Sequence, residues 1–318
     1  MSSRQPARAN KEPGAPRTAL RLLGLVVLAA FGAWVVQDSP IAAGPSARTA
    51  TAGSRVPAGT ADGTCLAYAP LQGNRHQTIF VDPGHGGVDS GTSGSTSAGS
   101  TVYEKDLTLA TGLDLLPLLR DDGYRVVMSR VDDRLLVPLN PNTLSDGVLT
   151  DLGEHDDGLA RIACANAAQA SVLVAIHFDA FSDPSVGGAE TIYDSARTFS
   201  TQNLHLGTLV QQALLSQFAA DGWAVPDRGV VDDIAAGTPA LTPAGAAYGH
   251  LVELGPAAPG YVDHPSRMPG VLIEPLFLSD PTEADIAASV KGQLAIAHAL
   301  AGAVKAFLSP PAAKPHAR

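Results

Sequence analysis

The chain has 318 residues, 45% hydrophobic and 16% charged, which is too apolar for disorder throughout and, by length alone, suggests two domains. With Lys+Arg at 21 against Asp+Glu at 31, the net charge of -10 excludes a general nucleic-acid binder, because holding phosphates needs a cationic surface. Two cysteines exclude a disulfide framework or a four-cysteine zinc site but allow one bridge, so any metal site must be built mainly from His and carboxylates.

Arg4, Arg8, Lys11, Arg17 and Arg21 make 1–21 a basic N-terminal segment, followed by the uncharged run 22–36 (LLGLVVLAAFGAWVV). That pairing reads as a signal peptide or transmembrane anchor. No small-x-small cleavage site follows directly and Trp34 suits a membrane interface, so an uncleaved anchor with its N-terminus inside is preferred over a cleaved signal peptide, and the basic flank at the extreme N-terminus argues against a buried core helix. Either form implies export to the cell envelope, with the membrane contacted through this segment if it is uncleaved. Residues 37–75 begin rich in Ala, Ser, Thr, Gly and Pro and read as a flexible linker and domain entry, while 309–318 reads as a disordered tail. One folded domain remains.

Within it, the β-branched run 78–82 (TIFVD) predicts a buried strand that stops at Pro83-Gly84. Leucines at helical spacing predict a helix over 105–120, closed by Asp122-Gly123. A strand at 124–129, a helix at 159–169, strands at 172–177 and 190–193, a helix at 203–218, a strand at 270–274 and a helix over 282–307 follow. This alternation predicts an α/β domain with a mostly parallel twisted sheet flanked by helices on both faces, and no internal repeat is visible. Chemistry in such sheets gathers at the carboxyl ends of strands, where His85, His177 and Glu274 fall. The irregular stretches 86–102 and 135–158 are long enough to be expected at the border of a site.

Each candidate also has a plain structural explanation. In VDPGHGG, the glycines around His85 allow a sharp turn and an open imidazole, yet a Gly-rich turn with an incidental His looks the same; the phosphate-loop spacings are absent. Glu104, at the head of a helix, suits metal binding or simple capping. His177 ends an apolar run and must hydrogen-bond or bind something. Glu274 ends another, where an ionised carboxylate needs an ion-pair partner or a role as a base. No HExxH helix is present.

Taken together, VDPGHGG, YEKDLTLA, the strand ending IHFDA and VLIEPLFLSDPTEA resemble, in order, the zinc-dependent N-acetylmuramoyl-L-alanine amidases of the Amidase_3 type. The similarity also takes in Met128-Ser129-Arg130 with Asp132-Asp133, and Arg161-Ile162-Ala163 with Ala165-Asn166. It implies a zinc amidase catalytic domain over 76–308 that cuts the amide between N-acetylmuramic acid and L-alanine in peptidoglycan. His85, Glu104 and His177 would be ligands of Zn2+, and Glu274 the catalytic acid/base. Two imidazoles and a carboxylate are a known catalytic zinc set that leaves a position for water. The chain departs from the family pattern at Ala175, Asp179 and Pro275-Leu276.

Val252-Glu253-Leu254-Gly255 is a rival for the catalytic strand, set aside because only Glu274 is followed by Phe277-Leu278-Ser279-Asp280. Arg228, in a segment resembling one near the family's cleft, is a candidate for a substrate carboxylate or an ordinary ion pair. His205, His250 and His264 lack comparable context. Cys65 and Cys164 are a possible disulfide in an exported domain, or two free thiols. The competing functions are a catalytically silent amidase-fold module that binds the wall or regulates, and another exported zinc peptidase. Whether a protein activator is needed is not legible.

Overall fold

The computed structural model describes residues 53–57, 64–236 and 243–309. The segments 1–21 and 22–36, most of the stretch 37–63 and the tail beyond Ser309 lie outside the described residues. In chain order the first elements are strands β1 (Ser54–Pro57), β2 (Thr64–Tyr68), β3 (Thr78–Pro83), β4 (Ser93–Ser95) and β5 (Thr101–Tyr103), then helix α1 (Glu104–Asp121) and strand β6 (Arg125–Met128). A small hairpin, β7 (Leu144–Ser145) and β8 (Val148–Leu149), leads into α2 (Asp151–Ala167), β9 (Val172–Ile176), β10 (Ala189–Tyr193) and α3 (Ser200–Ala220). The chain continues through β11 (Asp227–Asp232), α4 (Asp233–Ala236), α5 (Pro243–Tyr248), β12 (Gly270–Glu274), α6 (Pro281–Ala288) and α7 (Val290–Leu308).

Eight strands form one sheet in the order β1-β2-β6-β3-β9-β12-β10-β11. Its centre, β6-β3-β9-β12, is parallel throughout, as expected for strands whose residues are buried on both faces. Towards the edges β1, β2 and β10 run antiparallel to their inner neighbours, and β11 runs parallel to β10. Alternate side chains serve two cores. Ile79, Val81, Val126, Val174 and Ile273 pack under α1, α3 and α7 through Leu115, Val210, Leu300 and their neighbours. Phe80, Val127, Leu173, Ala175 and Leu272 face the other way, against Cys164, Ala165 and Ala168 at the end of α2. Helices therefore cover both faces.

Three features differ from the sequence-based expectation. Strands β1 and β2 occupy the stretch read as linker; β2 buries Cys65 and Ala67 and pairs with β6, a long-range partner that its short run does not announce. Helix α2 starts at Asp151, inside the expected irregular stretch, because the Thr150 side chain accepts from Gly153 N and caps it there. The single helix expected over 282–307 divides at Ser289, whose extended backbone (φ -84, ψ 141) ends α6 while its hydroxyl caps α7.

Cys65 on β2 and Cys164 on α2 are paired as a disulfide with Cα atoms 6.3 Å apart, tying the edge of the sheet to the helix beneath it. The bridge spans a sequence separation of 99. Closing a loop of that size removes much denatured-state freedom, so the Cys65→Ser, Cys164→Ser double variant should lose about 2–4 kcal/mol in urea denaturation. Equal stability with and without reductant would show that the two cysteines are not bridged.

Candidate metal centre and cleft

The turn after β3 carries His85 in left-handed backbone (φ 60), a conformation uncommon for a residue with a side chain. Two buried arginines hold it. Arg130 Nε donates to Pro83 O at 2.9 Å and one Nη to Gly84 O at 2.9 Å; Arg161 donates to Pro83 O at 2.9 Å and to His85 O at 2.8 Å. Three successive carbonyls are thus captured by side chains remote in sequence. Arg161 is also paired with Asp82 at 2.6 Å and Asp157 at 2.7 Å. Despite burial, Asp82 stays ionised because the Arg161 guanidinium holds it below the usual carboxylate range. Burial and the nearby charge of Arg161 bring Arg130 down to about 10. The flanking glycines differ in purpose: Gly86 takes a φ of 138, whereas Gly84 leaves room for the His177 ring, which a Cβ there would overlap.

Because β3, β9 and β12 are parallel neighbours in register, His85, His177 and Glu274 emerge side by side at their carboxyl ends. Glu104 reaches the same point from the first residue of α1. It does not cap its own helix. One carboxylate oxygen accepts from Thr92 N at 2.7 Å and the other from Phe178 N at 3.0 Å, which aims the latter between the two imidazoles. His85 Nε2 lies 3.0 Å and His177 Nδ1 2.9 Å from Glu104 Oε1, and the two nitrogens are 3.2 Å apart. His85 Nδ1 is oriented by Asp89 at 2.7 Å, a partner whose role sequence reasoning did not assign.

This triangle of two ring nitrogens and a carboxylate oxygen is close enough for one cation to contact all three donors, and its chemistry suits zinc. Its electrostatics also call for positive charge. Burial opposes protonation of His85, but Glu104 and Asp89 outweigh it and push the imidazole up to about 10. Burial would raise Glu104, yet His85 and His177 hold it below the ordinary range. A cation at the centre would stand in for that proton.

Glu274 sits beside this group with Oε2 buried and without a hydrogen-bond partner. Its carboxyl is raised well above the ordinary value by burial, then by the charges of Glu104, Asp179 and Glu190. Among the described residues no basic side chain pairs with it within 4.0 Å, so the ion-pair explanation weighed for this residue finds no support in the geometry. Glu190 was missed as a cleft residue; only the antiparallel pairing of β10 with β12 places it directly opposite Glu274.

The cleft has a volume of about 390 Å³ and is lined by the three donors, Glu274, Glu190, Asp179, Phe178, Leu272 and Glu253. Both long irregular stretches border it, through Asp89 and Thr92 and through Glu154 and Asp157. Glu253 is in the wall, but its segment is a turn rather than a strand, and its carboxyl is raised well above the ordinary value by burial and by the neighbouring charge of Asp82. Arg228, on β11, packs over the Phe277 ring at 4.7 Å and lies 3.7 Å from Glu190. His205 and His264 are exposed and outside the cleft.

Residues 79–306 match the family model of the N-acetylmuramoyl-L-alanine amidases, Amidase_3. The chain belongs to that family. The amidase is 27% identical to the Bacillus subtilis protein YqiI over 76% of its own length and 88% of YqiI. It is 31% identical to the B. subtilis germination-specific N-acetylmuramoyl-L-alanine amidase over 39% of its length and 46% of that relative. The CwlD amidase of Clostridioides difficile, solved in complex with the GerS lipoprotein, superposes with a TM-score of 0.53 at 25% identity, covering 73% of this chain and 98% of CwlD. The amidase therefore hydrolyses the peptidoglycan amide between N-acetylmuramic acid and L-alanine.

Proposed function

We propose that this amidase uses zinc, held by His85, Glu104 and His177, and that Glu274 is its acid/base. The observation that carries the reading is the convergence of those three donors within hydrogen-bond distance of one another, beside a buried carboxyl with a free oxygen. The ion, when bound, supplies Lewis acidity, polarising the scissile carbonyl and making water nucleophilic near neutral pH. Glu274 takes the proton of that water on Oε2 and delivers it to the L-alanine nitrogen, which must leave as a neutral amine. Asp89 fixes the orientation of His85, and Glu104 is held by Thr92 N and Phe178 N so that neither donor reorganises during turnover. Arg228, half exposed and only loosely paired with Glu190, offers spare donors at the rim for a substrate carboxylate.

Export is supported by the substrate and by the basic and apolar segments 1–21 and 22–36, which suit an anchored or secreted enzyme acting on the wall side. Among the described residues no helix is long and apolar enough to cross a membrane. The GerS complex of CwlD makes a lipoprotein a partner worth testing.

Incubating the purified full chain with peptidoglycan should release stem peptides with a free L-alanine amine and leave lactyl-bearing glycan. Chelation should abolish release, and zinc should restore it. Cleavage within the stem peptide would favour the exported zinc peptidase; no cleavage with zinc bound would favour the silent wall-binding module.

A further inference from the structure

A second group of potential ligands lies away from the cleft. β10 and β11 run parallel with Tyr193 opposite Asp232, so the next residues, Asp194 and Asp233, leave the sheet side by side. Both are fully buried. His250, which follows α5, brings Nδ1 to 2.8 Å from Asp194 Oδ2 and 3.2 Å from Asp233 Oδ1. All three donors lie within 4.8 Å of one another, and the two His250 contacts have nearly the spacing found at the first centre.

Asp194 Oδ2 is buried and, apart from its 2.8 Å contact with His250 Nδ1, has no hydrogen-bond partner. The surrounding groups are directed elsewhere. Asp194 Oδ1 accepts from Ala196 N, Asp233 Oδ2 accepts from Leu251 N, and Arg197 donates to the carbonyls of Leu254 and Gly255. Two buried carboxylates thus face a single imidazole, leaving negative charge that burial makes costly.

We propose that Asp194, Asp233 and His250 form a second binding site, for a divalent first-row transition ion. Two carboxylate oxygens and an imidazole nitrogen are the donors that zinc or manganese takes. Because β10 is antiparallel to β12, Asp194 lies at the opposite end of β10 from Glu190, and none of the site's three donors lines the cleft. The ion's role is to clamp. His250 and Leu251 begin the stretch whose Leu251, Val252 and Glu253 form one wall of the cleft.

The test is spectroscopic titration of the full chain with Co2+. The wild type should bind two equivalents, and the His85→Ala, His177→Ala variant one. Adding Asp233→Asn to that variant should remove the remaining equivalent, while Asp233→Asn alone should retain one. Saturation of the wild type at a single equivalent, or no binding by the His85→Ala, His177→Ala variant, would overturn the second site while leaving the amidase mechanism intact. The latter measurement leaves Asp194, Asp233 and His250 unaltered and so does not depend on the Asp233→Asn variant folding.

Discussion

Glu274→Gln will lower peptidoglycan turnover by about 10²–10⁴-fold while leaving bound zinc unchanged. The substitution keeps the shape of a side chain whose Oε2 has no hydrogen-bond partner, and removes its ability to take a proton. Its carboxyl is crowded by Glu104, Asp179 and Glu190, so removing the ionisable group should hold or raise the melting temperature rather than lower it. Kinetics on purified peptidoglycan, metal analysis and a thermal melt on one preparation separate these effects. Near-normal turnover with zinc in place would remove Glu274 from the mechanism. Loss of zinc together with activity would make it a structural neighbour of the metal rather than the proton carrier.

Arg161→Met is the substitution expected to damage the fold most. Methionine keeps the aliphatic stem but removes the guanidinium that joins Asp82, Asp157 and the carbonyls of Pro83 and His85. Breaking one side of a buried charged network typically costs about 3–5 kcal/mol, much of an ordinary domain's stability. The pH dependence follows from two neighbours. Asp82 is held below its ordinary value, so it contributes stability above the unfolded carboxylate range, and that contribution is lost as pH falls through its depressed value. Glu253 is raised by burial and by Asp82, so it weakens the fold as pH rises above the ordinary carboxylate range, and Arg161 restrains that shift. Both make the difference between wild type and variant largest near neutral pH and smaller in acid. Urea titrations at several pH values measure it; a difference under about 1 kcal/mol, or one constant with pH, would contradict the network's assigned role.

The four residues proposed to carry the chemistry could be singled out in the sequence because each sits where a local pattern begins or ends. His85 follows an apolar run and is bracketed by glycines, His177 and Glu274 close two more runs, and Glu104 opens a leucine-patterned helix. Such signals depend on a few neighbouring residues. The resemblance then joined four individually weak positions into one site. Among the elements that escaped the same reading are β2 and β11. β2 is short and follows a Gly/Ala/Ser-rich stretch, and its strand character depends on pairing with β6. β11, at the sheet edge, has no fully buried residue, so it lacks the alternation between buried and exposed positions that marks a strand.

By itself, the sequence determined an acidic chain with few cysteines, the alternating strands and helices of the domain, and the local position of each ligand candidate. Only the tertiary structure decided which strands are neighbours and in which direction they run. That choice sets His85 and His177 around Glu104, turns Glu190 towards Glu274, and brings Asp194 and Asp233 together at the far end of β10. It also delivers Arg130 and Arg161 to the carbonyls of the His85 turn. The physical reason is that hydrophobic periodicity tells a side chain which face to bury, whereas strand order and direction arise from packing between segments distant in the chain.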